Sequence, residues 1–166
     1  MLNQLELFEK WVIDFVGTIN PPARKTYARC TITMTKYLTR WAEADMVKEY
    51  TVETTVWFIF ENIVTRFGCP RILMSDQGAH FLNTTIHALT KKFLVHHQKS
   101  TPYQQHANGM VKAFNKILEH ALTKIFNVAR DGWDQSVHAV LWAYKATCKR
   151  LTKHTPFILV LAKRQS

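Results

Sequence analysis

Between Tyr27 and Thr35 the chain alternates without a break, with Ala28, Cys30, Ile32 and Met34 on one side and Arg29, Thr31, Thr33 and Thr35 on the other. A period of two over that length is the signature of a β-strand, because successive side chains point to opposite faces of the pleat. One apolar face and one polar face predict a half-buried strand that covers a core on one side only. Residues 11–17, Trp-Val-Ile-Asp-Phe-Val-Gly, predict a strand before it, and Tyr37 to Ala44, carrying Trp41, a hairpin partner after it. Asn20-Pro21-Pro22-Ala23-Arg24-Lys25 supplies the punctuation of a turn.

The period then changes. Val52, Val56, Ile59, Phe60, Ile63 and Phe67 recur at helical spacing until Gly68 and Pro70 end the run. Residues 71–75 predict a short buried strand that delivers Asp76 into a turn. Asn83 is placed to cap a helix with Ile86, Leu89 and Phe93 inward. Residues 93–97 read as another strand, followed by a polar loop over 98–107. A helix starting near Asn108 carries Val111, Phe114, Leu118, Ala121, Leu122 and Ile125 on one stripe, with Lys112 off it in the first turn. Asp131 predicts the cap of a last long helix with Trp133, Val137, Val140, Leu141, Tyr144 and Cys148 inward, and Thr155-Pro156-Phe157 opens a short terminal segment. Strands alternating with helices predict a layered α/β domain, without internal repeat or linker.

Charge narrows the partners. Lys and Arg outnumber Asp and Glu by 22 to 12, a net +10. Such an excess favours polyanions, nucleic acid first and acidic membrane surfaces second. Lys91, Lys92, Lys99, Lys112, Lys116, Lys124, Arg130, Lys145, Lys149 and Arg150 are available for phosphate contacts that are sequence-independent and salt-sensitive. Cys30, Cys69 and Cys148 are an odd set at wide spacing, which argues for free thiols in a reducing compartment rather than a disulfide framework or a zinc knuckle. His96-His97 has no further Cys or His at ligand spacing. No apolar run is long enough to span a bilayer, and Glu6 and Glu9 interrupt any leader pattern, so the expectation is a soluble intracellular protein with no membrane partner.

Two aspartates stand at the ends or centres of apolar runs, Asp14 and Asp76. A carboxylate in an apolar run is costly to bury unpaired, which favours a site at Asp14. Asp76 before Gln77-Gly78 suits plain turn chemistry equally well.

The ordered strings Trp11 to Gly17, Tyr37 to Ala44, Ser75-Asp76-Gln77-Gly78, Pro102-Tyr103, Asn108-Gly109, Asn115-Lys116, Leu141 to Tyr144 and Thr155-Pro156-Phe157 together resemble the catalytic core of retroelement integrases, specifically those of gypsy-type long-terminal-repeat retrotransposons. The resemblance covers nearly the whole chain. It implies a ribonuclease-H-like fold, a central mixed five-stranded sheet flanked by helices. It also implies DNA strand transfer with Mg²⁺ or Mn²⁺ ions held by Asp, Asp and Glu. Asp14 and Asp76 fall on the first two positions; Lys112 stands where the third has Glu, 35 residues separating it from Asp76. Lys99, Tyr103, Asn108, Lys112, Asn115 and Lys116 are the nucleic-acid contacts so implied, and a homodimer and a nuclear location are compatible with it. The family's zinc-binding and C-terminal modules are not found in the chain, which reads as one core domain over 1–166.

Lysine at the third position changes the chemistry expected. Two-metal phosphoryl transfer depends on cations about 3.5–4 Å apart, and hard cations require oxygen ligands that an ammonium does not offer. The formal site charge changes from −3 to −1, leaving at best a weak single-metal site on Asp14 and Asp76. Glu119 lies two turns further on, about 10 Å away, and His106 is a poor ligand for Mg²⁺. Gly17-Thr18 in place of Gly-Pro, Gln105-His106 in place of Pro-Gln, and Lys36 in place of an acid depart from the family pattern as well. Three functions follow: an inactive nucleic-acid-binding core, a domesticated interaction or dimerisation module, or an active metal-dependent nuclease whose site another chain completes.

Overall fold

The structure is a computed structural model describing residues 10–75, 79–93, 109–129, 132–147 and 153–164, with the backbone alone at 79, 109–115, 118, 122, 129 and 162–164. Four strands form one sheet: β1 (Lys10–Val16), β2 (Cys30–Lys36), β3 (Ala42–Val47) and β4 (Ile72–Met74), in the order β3-β2-β1-β4. β1 pairs antiparallel with β2, and β2 with β3, while β4 joins β1 in parallel through Lys10↔Ile72, Trp11↔Leu73 and Val12↔Met74. The helices are α1 (Val52–Ile59), a π-helical turn (Phe60–Val64), α2 (Thr65–Phe67), α3 (Ala79–Phe93), α4 (Gly109–Ala129), α5 (Asp134–Ala146) and α6 (Pro156–Arg164).

The sheet is therefore mixed and flanked by helices, but it has four strands among the described residues rather than five. Phe93, where a fifth strand was expected to start, belongs to α3, and its ring stacks on Phe60 with centroids 3.6 Å apart; residues 94–97 lie outside the described set.

Every residue of β2 is buried, which corrects the half-buried reading. Ile32 and Met34 pack with Trp11, Ile13, Val56, Ile59 and Leu89 on the side covered by α1 and α3. The threonine side is covered too. Ala42 and Ala44, the β3 partners of Thr35 and Thr33, pack with Trp133, Val137, Leu141 and Tyr144 of the α5 region. Threonine suits this role because its β-branch fits the pleat and its small side chain lets a helix approach closely.

Three boundaries also move. β3 starts at Ala42 rather than Tyr37, because residues 37–40 make the turn: Arg40 N–H donates to Lys36 O (3.0 Å), with Arg40 at φ 60°. α3 begins at Ala79, so Asn83 is an interior residue of that helix and not its cap. The helix expected over 51–67 is opened by a capping box between Thr51 and Thr54, and is then interrupted by the π turn. Asp131 and Cys148 lie outside the described residues; Trp133 occupies the N-cap position of α5, without a side-chain cap. The terminal segment is helical, with Pro156 at its first position and Ile158 N–H donating to Thr155 Oγ1 at 3.2 Å. Cys30 is a buried free thiol, pushed up by desolvation and by Glu49, and Cys69 is a half-buried one.

Candidate active site

Asp14 sits in β1 opposite Thr33, and the alternation along the strand decides where it points. Trp11 and Ile13 enter the core beneath α1 and α3, so Val12 and Asp14 take the other face. That is the face α4 covers, since α4 lies against β1. Asp14 is half-buried; its Oδ1 accepts from Phe15 N–H at 2.9 Å, and Thr33 Oγ1 donates to its main-chain carbonyl at 3.4 Å. β4 ends at Met74, paired with Val12, and buried Ser75 follows.

Asp76, Lys99, Tyr103 and Asn108 lie outside the described residues, and at Lys112 and Asn115 only the helical backbone of α4 is described. Lys116 is exposed on the same helix. The structure thus brings the strand of Asp14 and the helix of Lys112 together.

The first turn of α4, the part of that helix in which the third ligand would stand, contains no acid, and Glu119 is exposed further along. Among the described residues no group of three or more His, Cys, Asp or Glu could hold a metal ion.

Sequence reasoning missed a second polar centre. Glu43, buried on β3, accepts at Oε1 from Trp41 Nε1 (2.8 Å), Arg66 Nη1 (3.1 Å) and Lys145 Nζ (3.1 Å). Burial lowers the Lys145 pKa, opposed by Glu43, and its ammonium also lies 4.3 Å from the Trp41 ring centroid. Nearby, Tyr144 OH donates to Arg40 O at 3.1 Å, and burial pushes its phenol upward. The strings 37–44 and 141–144, a hundred residues apart, therefore meet in space. Their joint occurrence was the signal; their role is to lock α5 onto β3. Lys36, where an acid was expected, is buried with its ammonium 5.5 Å from the Trp11 ring and 5.4 Å from Phe67.

This arrangement matches solved structures. The catalytic core domain of BIV integrase superimposes with a TM-score of 0.66 at 18% identity, covering 95% of this chain and 97% of that one. The fold is that of an integrase catalytic core. The HTLV-2 integrase catalytic core, solved in complex with magnesium in a trimeric form, shares this integrase-core fold at a TM-score of 0.62 and 16% identity, covering 89% of this chain and 92% of that one. A simian T-cell lymphotropic virus intasome in complex with PP2A regulatory subunit B56 gamma contains it as well, at a TM-score of 0.64 and 17% identity, over 89% of this chain and 52% of that one.

In sequence the integrase-core chain is homologous to retroviral and retrotransposon Pol polyproteins. It is 20% identical over 156 residues to the Pol polyprotein from transposon 412 of Drosophila melanogaster and 25% identical over 153 residues to the Pro-Pol polyprotein of simian foamy virus type 3. It covers 94% and 92% of itself in those matches but only 12% and 13% of the polyproteins. No protein-family model matches it.

Proposed function

We propose that this chain is a nucleic-acid-binding integrase core of gypsy-type retrotransposon descent that has lost strand-transfer catalysis. The observation that supports the reading is the first turn of α4: it belongs to the helix packed against the strand of Asp14, and its sequence contains Lys112 and no acid. A cation at that point repels divalent metal and attracts the carboxylates that would hold it. Asp14 and Asp76 then retain at most a weak single-metal site. DNA is held through phosphate contacts, with Lys99, Tyr103, Asn108, Lys112, Asn115 and Lys116 as the contacting residues, and the domain acts in the nucleus. Support for DNA comes from the net charge of +10 and from an intasome among the structures with this fold.

The test is Mn²⁺-dependent nicking and strand transfer on a short DNA duplex by the chain and by Lys112→Glu. Activity only in Lys112→Glu supports the reading; turnover by the unaltered chain refutes it.

A second reading, an interaction module, is favoured by one observation. Trp142 and Val128 are 70% and 87% exposed on α5 and α4, and Phe157, Ile158 and Leu161 are exposed on α6. Self-association without DNA affinity would select it.

A further inference from the structure

The connection from β1 to β2 is a built loop rather than slack chain. Gly17, at φ 123°, lets Ile19 N–H donate to Arg29 O at 2.7 Å, and a Cβ on Gly17 would lie 2.6 Å from that oxygen. Ala23 N–H donates to Ala28 O (2.9 Å) and Tyr27 N–H to Ala23 O (2.8 Å). Ile19, Ala23 and Ala28 are buried against Trp133, whose Nε1 donates to Pro21 O at 3.4 Å, and Thr26 Oγ1 donates to the buried Asp134 at 3.0 Å. The loop is held by the start of α5 on one side and by β2 on the other.

What this framework displays is Tyr27. Its ring is 67% exposed on a backbone at φ 56°, a conformation that a non-glycine residue adopts only when its surroundings impose it. Lys48 Nζ lies 5.9 Å from the ring centroid, and Arg29 is exposed beside it. Together with Thr18, Glu49 and half-exposed Tyr50, these residues line an open cleft of about 490 Å³. Two cations against one carboxylate leave it net positive. The cleft lies at the end of the sheet toward which β1 runs from Asp14: Cys30, on its wall, is three residues from Thr33, the partner of Asp14, or about 10 Å along the strand.

We propose that this cleft binds a single-stranded nucleic-acid segment, one base stacked on Tyr27 and the neighbouring phosphates held by Arg29 and Lys48. This rests on the nucleic-acid reading above and adds a subsite to it. An exposed aromatic face offers nothing to paired, stacked bases but is the standard platform for an unpaired one. Exposed cations beside it neutralise the backbone.

The experiment is fluorescence anisotropy of a short labelled oligothymidylate, and of a duplex of the same length, with the 166-residue chain and its variants. Tyr27→Ala weakens single-strand binding about tenfold while Tyr27→Phe retains it, and neither changes duplex binding. The double variant Arg29→Gln/Lys48→Gln lowers the salt slope for the single strand by about 1.4, at about 0.7 per phosphate. Both cations are exposed, so this variant decides the matter if Tyr27→Ala lowers the unfolding temperature. Single-strand affinity unchanged in Tyr27→Ala, or an equal loss on duplex, overturns the cleft while leaving the nucleic-acid reading intact. Failure of the unaltered chain to bind either DNA overturns both.

Discussion

Lys145 Nζ stands 3.1 Å from Glu43 Oε1, so a cation on α5 is neutralised by an acid on β3. Both side chains are largely removed from water, whereas Arg66, at the same distance from the same oxygen, is 52% exposed. Removing one partner of a buried pair leaves the other uncompensated. Glu43→Ala is expected to cost about 3–5 kcal/mol, and Arg66→Ala no more than about 1 kcal/mol. Urea unfolding of the two variants checks the contrast; equal effects contradict it.

Thr35 presents the opposite case. Its hydroxyl is buried and without a hydrogen-bond partner among the described residues, as is that of Thr31. An unpartnered buried hydroxyl is a net cost, so Thr35→Val, which keeps the shape, is expected to stabilise the fold by about 1 kcal/mol. A lower urea midpoint would show that the hydroxyl has a partner in solution.

Tyr144 makes stability fall at alkaline pH. Its pKa is raised by burial, so the stability it contributes is fully present below its unfolded pKa of about 10 and is lost as pH rises beyond that, where the unfolded chain releases the proton and the folded one retains it. Tyr144→Phe should lose about 1 kcal/mol at pH 8 with its bond to Arg40 and decline less steeply above pH 10. The urea midpoint against pH, measured for both proteins, reports the difference in slope.

Gly17 tolerates no side chain. Positive φ and the carbonyl of Arg29 both oppose a Cβ, and Gly17→Ala is expected to lower stability by at least about 2 kcal/mol. Thermal unfolding measures it, and an unchanged midpoint would mean the loop relaxes freely.

Asp14→Asn placed in Lys112→Glu separates catalysis from binding. If the glutamate restores turnover, the second change abolishes it again while DNA affinity persists, as nicking and anisotropy on one preparation will report.

Much of this was legible because burial leaves a period behind. Val56, Ile59 and Ile63 are buried as their spacing requires, and Trp133, Val137, Leu141 and Tyr144 form the inward stripe of α5. Asp14 was legible as a polar residue inside an apolar strand. The errors have local causes. Threonine is counted as polar, so β2 seemed to face water on one side. Arg40 and Tyr27 adopt positive φ without being glycine, a choice imposed by tertiary contacts. The π turn at Phe60–Val64 was not foreseen because its five residues read as part of one continuous helical run of apolar positions. The cleft was missed because Tyr27, Arg29 and Lys48 come from two segments that only the sheet register unites.

The parallel pairing of β1 with β4 has a consequence for how the molecule is assembled. β1, β2 and β3 follow one another along the chain and can zip together through nearby turns, but Val12 meets Met74 only across some sixty intervening residues. Closing a long loop costs entropy before any contact offsets it. The topology therefore predicts a sequence of events in which the meander forms early and the edge leading toward Asp76 docks last. A growing polypeptide would pair β1, β2 and β3 before the strand that completes the Asp14 edge has left the ribosome, while the loop at Tyr27 waits for Trp133 and Asp134 to arrive.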